Sequence, residues 1–182
     1  LATQATIMLY DGSPFYPDDT VLWRFANDEQ FTHFGTSAKY IETLMKNNVK
    51  PRSNFKLKNL RTICSTGSPL SPESYDFVYK NIGSVHLASI SGGTDIVSCF
   101  VLGIPTLPVR RGEIQGPGLG MAVEIWNDTG KVKRGRRGEL VCTKPFPSRP
   151  VKFWNDKDRK KYYLAYFDRF KDVWAHGDFA EQ

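Results

Sequence analysis

The sequence lacks any run of about 18–20 apolar residues, the length that a helix needs to cross a bilayer, and it is therefore predicted not to span a membrane. Its first residues, LATQ, carry no charge and do not form the positive segment that begins a signal peptide. It also lacks the low hydrophobicity of disordered chains, because 40% of its 182 residues are hydrophobic and 13% are aromatic. These features predict a folded globular chain with one core or two small subdomains.

Cysteine is scarce. The three residues, Cys64, Cys99 and Cys142, are odd in number and far apart, which excludes a dense disulfide scaffold and a zinc-ligand spacing. Each has apolar neighbours, so we predict buried free thiols in a reducing compartment and place the protein in the cytoplasm.

Several catalytic motifs are absent as well. No G-x-x-x-x-G-K-[ST] phosphate loop and no G-x-S-x-G nucleophile elbow occur. The glycine-rich residues 116–120 lead into a strand-like run rather than a helix, which is the wrong context for a dinucleotide-binding loop. The histidines have no metal-ligand partners at i+3 or i+4, and His33 and His86 adjoin strand-like runs, so we interpret those two as structural.

Positive charge is in excess, with a formal net charge of +6, which raises the question of a nucleic-acid partner. The densest basic run, residues 131–138, lies between two strand-like segments and is interrupted by Gly135. It is interpreted first as a solvated hairpin loop and second as a phosphate-binding patch, and no aromatic residue interleaves it to stack on bases. We therefore predict no nucleic-acid partner, and a basic nucleic-acid binder stays open as an alternative. A second basic group comprises Lys157, Arg159, Lys160 and Lys161.

The first part of the chain alternates strand and helix signals. Short apolar runs predict strands at Ala5–Tyr10, Phe31–Gly35, Leu60–Ser65 and His86–Ile90. Helical spacing predicts helices at Val21–Glu29, at Ala38–Lys46, and from the cap Ser71-Pro72-Glu73 to Gly83. This order is typical of an α/β fold with a mostly parallel sheet.

After about residue 108, glycines separate short runs such as Met121–Trp126 and Glu139–Thr143, which predicts a small β-barrel-like subdomain. A helix is predicted at Asp156–Phe170, followed by a strand at Val173–Ala175. We divide the chain into an α/β portion, residues 1–108, and a β-rich portion, residues 109–182.

Small polar loops follow two of the predicted strands, at residues 65–69 and 91–95. Ligands gather at the carboxyl ends of parallel strands, and glycines let backbone N–H groups form a concavity that binds anions. Thr94 adds a hydroxyl donor, and Asp95 adds a carboxylate that can hold Mg²⁺ bridged to phosphates. Each loop taken alone is more often an ordinary turn, and two such loops at neighbouring strand ends favour a binding site without establishing it. Asp178 follows a glycine at a strand end, where a carboxylate accepts hydrogen bonds from sugar hydroxyls or is simply a turn acid.

These loops belong to a series of segments that resembles the core motifs of the acyl-adenylate-forming superfamily, in the same order. The segments are STGSPLSPES, SISGGTDIVSCF, RGEIQ, GLGMAVE, GELVCTKP, FWND and WAHGD. Within the superfamily, the chain is most similar to the AMP-binding acyl-CoA synthetases that activate acetoacetate. The resemblance implies an acid–thiol ligase of lipid and ketone-body metabolism that uses ATP, Mg²⁺ and coenzyme A. It implies that both portions belong to the large N-terminal domain of such an enzyme.

The resemblance also implies roles for individual residues. Gly67-Ser68-Pro69 matches the loop along the adenosine, although acetyl-CoA synthetases have Gly-Glu-Pro there. Gly93 and Thr94 match the nucleotide loop, with the Thr94 hydroxyl on the α-phosphate. Asp95 matches the acid, usually glutamate, that holds Mg²⁺, and Asp178 matches the acid that binds the ribose hydroxyls. Thr94 and Asp95 are the predicted catalytic residues, and His176 stands where relatives commonly have threonine or serine.

The acyl specificity is expected to depend on Gly92 and Thr66. Gly92 matches a tryptophan that closes the acyl pocket of acetyl-CoA synthetases, so its missing side chain is expected to leave space for the longer acid acetoacetate. The hydroxyl of Thr66 is expected to bond the keto oxygen of that substrate.

The resemblance covers only the middle of such an enzyme. A phosphate loop is expected before Leu1, and the hinge and the domain with the adenylation lysine are expected after Gln182. The chain is therefore predicted to be an internal fragment, inactive alone, whose partners are small molecules and the remaining parts of the same enzyme. The alternative is a catalytically dead nucleotide-binding or interaction fragment.

Overall fold

A parallel sheet forms the first part of the molecule in the computed structural model, which describes residues 3–132 and 134–182. Lys133 of the basic run and the first two residues lie outside the described residues. The strands β1 (His33–Ser37), β2 (Thr62–Thr66) and β3 (His86–Ser89) lie in that order and are all parallel. The predicted α/β fold with a parallel sheet is therefore confirmed.

Four helices accompany this sheet: α1 (Val21–Asp28), α2 (Ala38–Lys46), α3 (Pro51–Asn54) and α4 (Pro72–Asn81). Helix α4 begins as its sequence predicts, because the Ser71 hydroxyl accepts a hydrogen bond from the Ser74 N–H at 3.3 Å and Pro72 occupies the first helical position. It ends just before Gly83. No helix of the described residues is long and apolar enough to cross a membrane, since α4, the longest, has 10 residues.

The predicted strand at Ala5–Tyr10 is wrong. Within the described residues this run has no regular structure and no strand partner, and Leu9 is 86% exposed. An isolated apolar run cannot become a strand without a neighbour that accepts its backbone hydrogen bonds.

The first core lies between the parallel sheet and its helices. The predicted stripe on α2 is buried there through Tyr40, Ile41 and Leu44, and its fourth member, Met45, packs against it. Trp23 of α1 and Phe34 of β1 pack against this stripe, and the centroids of their two rings are 4.9 Å apart. The periodicity of α2 thus indicates packing and carries no chemistry.

Two three-stranded antiparallel sheets form the rest of the molecule. One comprises β4 (Ser91–Gly93), β5 (Ser98–Leu102) and β6 (Gly116–Pro117). The other comprises β7 (Val123–Trp126), β8 (Gly138–Cys142) and β9 (Trp174–Ala180). The portion predicted to be β-rich, after residue 108, contains β6 to β9, but β4 and β5 lie before it, and the described strands form open sheets rather than a closed barrel. The division at residue 108 stays a prediction.

Helix α5 (Lys160–Tyr166) is shorter than the predicted Asp156–Phe170. Arg159, just before it, has a left-handed backbone with φ of 60°, which stops the helix from extending towards its N-terminus. The buried Asp156 carboxylate accepts hydrogen bonds from the backbone N–H groups of Lys161 at 3.0 Å and Tyr162 at 2.8 Å. Helix α5 packs on β9 over a second core that contains Phe100, Leu140 and Trp174.

The surface predictions are met in part. All three cysteines are free, but only Cys142 is buried, whereas Cys64 and Cys99 are partly exposed because they lie on strands with one open face. The basic run forms the connection between β7 and β8, and its described residues up to Arg137 are exposed, as predicted for a solvated loop.

Candidate functional site

The sequence SISGGTDIVS forms a β-hairpin rather than a loop. Strands β4 and β5 are joined by the turn Thr94–Val97, closed by a hydrogen bond from the Ile96 N–H to the Gly93 carbonyl at 3.2 Å. Ile96 is fully buried in the second core and holds the turn against it. The side chains of Thr94 and Asp95 are left exposed at the tip, where a ligand can reach them.

Asp95 is held by two hydrogen bonds. One carboxylate oxygen, Oδ1, accepts from the Ile96 N–H at 3.1 Å, and the other, Oδ2, accepts from the Tyr166 hydroxyl at 2.6 Å. Burial and, second, the hydrogen bond to Asp95 raise the pKa of Tyr166 above its ordinary value. The hydroxyl therefore keeps its proton at neutral pH and acts as the hydrogen-bond donor to the carboxylate. The carboxylate at the tip therefore has a defined direction.

Strand β9 brings three alternate residues, Trp174, His176 and Asp178, to the hairpin, although its pairing with β8 is irregular between Ala175 and Phe179. The Trp174 ring stacks on Tyr166 with 3.7 Å between ring centroids, and its indole N–H lies 3.5 Å from His176 Nδ1. His176 Nε2 lies 4.0 Å from Asp178 Oδ2. These contacts form a continuous row from Tyr166 to Asp178.

The row closes back on the hairpin at Ser91, whose hydroxyl donates to Asp178 Oδ2 at 2.7 Å. On the other side, the backbone N–H of Gly177 donates to Glu139 Oε1 at 2.6 Å, and Gly177 has a left-handed backbone with φ of 90° that favours glycine. Glu139 is only 1% exposed and forms an ion pair with Arg169. Ser91 therefore holds the Asp178 carboxylate, and Glu139 holds the backbone of the residue before it.

Gly92 has no room for a side chain, and a side chain on Gly93 would displace the Asp95 carboxylate. A Cβ on Gly93 would overlap Asp95 Oδ1 and lie 3.5 Å from His176 Cε1. A Cβ on Gly92 would overlap the Ser98 carbonyl and lie 2.6 Å from the Cys99 Cα on β5. The expectation of open space at Gly92 is therefore not met, because the missing side chain lets the two hairpin strands approach. Its role in an acyl pocket stays a prediction.

Of the second predicted loop, residues 65–69, Ser65 is buried within β2, Thr66 ends that strand, and only residues 67–69 follow it. Residues 66–69 are exposed. Gly67 has φ of 86°, and nothing lies within 4 Å of its Cβ position. The loop is next to the hairpin because the Ile90 N–H, just before β4, donates to the Ser65 carbonyl at 2.9 Å. The prediction that both loops follow neighbouring strands is confirmed.

A metal ion at this site would have one protein carboxylate. Among the described residues, no group of three or more acidic, histidine or cysteine side chains is placed to hold a metal ion. Mg²⁺ is commonly bound by one or two carboxylates together with substrate phosphates. The exposed Asp95 carboxylate retains free lone pairs beside its two hydrogen bonds and fits that role.

Three residues of this site, Ser91, Tyr166 and Trp174, have no role predicted from the sequence, although Ser91 and Trp174 lie within the quoted segments. The signal for Tyr166 was present, because Tyr162 and Tyr166 lie four residues apart and share a helix face. Nothing in the local sequence indicates that this face meets the hairpin tip, 71 residues away.

Comparison with known proteins gives consistent matches along the chain. A family model described as AMP-binding enzyme matches residues 1–149. The acetoacetyl-coenzyme A synthetase of Rhizobium meliloti (strain 1021) is 64% identical over 182 residues, which are 100% of this chain and 28% of that protein. The acetoacetyl-CoA synthetase of Gallus gallus is 54% identical over 182 residues, again 100% of this chain and 27% of that protein.

A solved structure is similar as well. The acetoacetyl-CoA synthetase from Streptomyces lividans superposes with a TM-score of 0.87 at 41% sequence identity, over 94% of this chain and 27% of that one. The chain thus spans 27–28% of the length of the relatives named here.

Proposed function

The chain belongs to the AMP-binding enzyme family, and from that premise we propose that it is the nucleotide- and acyl-binding part of an acetoacetate–CoA ligase. The family resemblance of the motifs in the sequence is thereby confirmed. The observation that carries the proposal is the row of contacts that joins Asp95 at the hairpin tip to Asp178 on β9, which brings together the two predicted nucleotide contacts. The names of the relatives support acetoacetate as the acid.

The proposed reaction has two steps. The carboxylate of acetoacetate attacks the α-phosphorus of ATP and displaces pyrophosphate, which gives acetoacetyl-AMP. The thiol of coenzyme A then attacks the acyl carbon, loses its proton and displaces AMP. The site has to hold the reactants in line and to stabilise phosphoryl charge, which needs positioned donors rather than a covalent group.

The proposed contacts follow from where each side chain lies. The Thr94 hydroxyl at the exposed tip donates to the α-phosphate, and Asp95 beside it would hold a Mg²⁺ ion, which would supply positive charge against the phosphates. Asp178 has lone pairs free beside its bond from Ser91, and these accept hydrogen bonds from the ribose hydroxyls. The loop Gly67-Ser68-Pro69 lies along the adenosine.

For the acyl group, we propose that Thr66 and Gly92 bound the pocket. Thr66 is exposed at the end of β2, where its hydroxyl can reach a keto oxygen. Strand β5 fills the space beside Gly92. The proposed acyl pocket therefore needs space next to the hairpin, and not the volume that a tryptophan side chain at position 92 would occupy.

The test uses a hybrid enzyme in which these 182 residues replace the matching segment of the Rhizobium meliloti synthetase, which is 64% identical. We expect the hybrid to form AMP from ATP in the presence of coenzyme A with acetoacetate in preference to acetate. We expect Asp178→Ala to lower the activity about a hundredfold, since both ribose contacts are lost. A folded hybrid that prefers acetate, or that does not need Asp178, would contradict the proposal.

The isolated chain is proposed to bind nucleotide without completing the reaction, because it spans only 28% of that relative. Calorimetric titration with AMP and an assay of pyrophosphate–ATP exchange separate the possibilities. Binding without exchange is expected. Robust exchange that depends on acetoacetate would show that these residues suffice. If the chain binds AMP but the hybrid is inactive, the alternative of a catalytically dead nucleotide-binding fragment is favoured.

We also propose a cytoplasmic location. The support is that Cys64, Cys99 and Cys142 are all free thiols, as is usual in a reducing compartment.

A further inference from the structure

We propose that Tyr166 is a positioning residue that sets the direction of the Asp95 carboxylate, and through it the affinity of the site for the nucleotide-bound cation. This inference rests on the proposed function of Asp95. It adds a residue that lies outside every recognised motif and that acts through another side chain rather than on the substrate.

The hydrogen bond itself is short and direct. The Tyr166 hydroxyl lies 2.6 Å from Asp95 Oδ2, a distance typical of a hydroxyl that donates to a charged carboxylate. Such bonds are about twice as strong as those between neutral groups. The bond connects α5 to the turn of the hairpin, two elements that are otherwise far apart in the chain.

The Tyr166 ring cannot easily move away from this position. It stacks on Trp174 at 3.7 Å and with 14° between the ring planes, and Trp174 is only 2% exposed. The rings of Phe153 and Tyr162 contact it edge-on at 5.7 Å and 5.6 Å between centroids. Because four aromatic rings pack together here, the position of the Tyr166 hydroxyl is fixed by its neighbours.

This rigidity matters because Asp95 itself is exposed at the tip of a turn. A free aspartate side chain there would sample several rotamers and lose that freedom when a cation binds. With Oδ1 on the Ile96 N–H and Oδ2 on Tyr166, the carboxylate plane is set before the ligand arrives. The directions of the remaining lone pairs are then fixed in advance, which lowers the entropic cost of binding.

The test separates the hydroxyl from the ring. Tyr166→Phe keeps the stack on Trp174 and removes only the donor. Tyr163→Phe is the matched control, because Tyr163 is on the same helix and 47% exposed. Each variant is made in the 182-residue chain and in the hybrid enzyme, together with Asp95→Asn and the double variant Asp95→Asn/Tyr166→Phe. The thermal unfolding midpoint of each confirms that folding is kept.

The main readout is cation binding rather than turnover. Mn²⁺ replaces Mg²⁺, and the fall of its free electron paramagnetic resonance signal when protein is added, beyond the fall that ATP causes without protein, measures its dissociation constant from the site. We expect Tyr166→Phe to raise this constant about fivefold to tenfold and Tyr163→Phe to leave it unchanged. In the hybrid, the Mg²⁺ concentration for half-maximal activity rises by the same factor, and the activity of Tyr166→Phe is recovered at high Mg²⁺.

The double variant identifies the route of the effect. If Tyr166 acts through Asp95, the double variant binds Mn²⁺ no more weakly than Asp95→Asn alone. If Asp95→Asn weakens binding but Tyr166→Phe equals the Tyr163→Phe control, the positioning role is overturned and the function of Asp95 stands. If Asp95→Asn leaves the Mn²⁺ affinity unchanged, both proposals are overturned.

Discussion

The hydroxyl of Ser91 donates a hydrogen bond to the carboxylate of Asp178 at 2.7 Å, across 87 residues of sequence. Ser91 begins the hairpin whose tip carries Asp95, and Asp178 lies on β9 in a different sheet. The bond therefore ties the proposed ribose contact to the element that carries the proposed phosphate and cation contacts. Loss of the Ser91–Asp178 hydrogen bond should therefore weaken the binding of a nucleotide that touches both the ribose contact and the phosphate contacts.

Ser91→Ala is expected to weaken AMP binding about threefold to tenfold, because the Asp178 carboxylate loses a donor that orients it. Calorimetric titration measures the change. The effect should vanish with 2′,3′-dideoxy-AMP, which has no ribose hydroxyls for Asp178 to bind. Ser53→Ala, in the remote helix α3, is the control and should bind both nucleotides as the parent does. An equal loss with both nucleotides would place the role of Ser91 elsewhere.

Gly92→Ala is expected to lower the free energy of unfolding by about 2–3 kcal/mol, the usual cost of forcing atoms into a packed site. The new Cβ would overlap the Ser98 carbonyl and press on the Cys99 Cα, both of which are backbone atoms that cannot turn aside. Urea denaturation measures the difference. Gly35→Ala is the matched control, since it also lies in a strand but nothing is within 4 Å of its Cβ position. Equal stability of the two variants would mean that the hairpin opens easily at Gly92.

Thr66→Val is the sharper test of the acyl pocket, because it keeps the shape of the side chain and removes only the hydroxyl. In the hybrid enzyme we expect the kcat/KM for acetoacetate to fall about tenfold, as for one lost hydrogen bond to an uncharged oxygen. Butyrate lacks the keto oxygen, so its kcat/KM should change little. A parallel fall for both acids would show that Thr66 shapes the pocket without recognising the keto group.

Much of the fold could be predicted because its signals are local. The cap at Ser71, the stripe on α2 and the short apolar strands each depend on neighbours a few residues away. Ala5–Tyr10 failed for the opposite reason, since strand formation needs a partner that the sequence of the run does not specify. The early start predicted for α5 failed at Arg159, whose left-handed backbone no periodicity reveals.

The residues of the site likewise fall into those that their own segments predict and those that depend on distant contacts. The motif residues at the hairpin, after β2 and on β9 were identifiable from their own segments. Tyr166 and Ser91 were not, because their roles depend on contacts over 71 and 87 residues. Gly92 shows the limit of argument from a missing side chain, since only the structure reveals that β5 occupies the space beside it.

Asp156 predicts how stability depends on acidity. Burial opposes its charge, but the backbone N–H groups of Tyr162 and Lys161 outweigh this and hold the pKa of Asp156 below its ordinary value of 3.8. Because the pKa is lowered in the folded state, the stabilisation is present above pH 4 or so and is lost as the pH falls through the folded value. Asp156→Asn should therefore unfold at a lower temperature at pH 7 and lose less stability than the parent on acidification below about pH 4. Thermal unfolding between pH 7 and pH 3 measures how the unfolding temperature of the parent and of Asp156→Asn changes with pH, and the exposed Asp168→Asn is the control. Parallel slopes for Asp156→Asn and the parent would show that this cap at the start of α5 does not respond to acid.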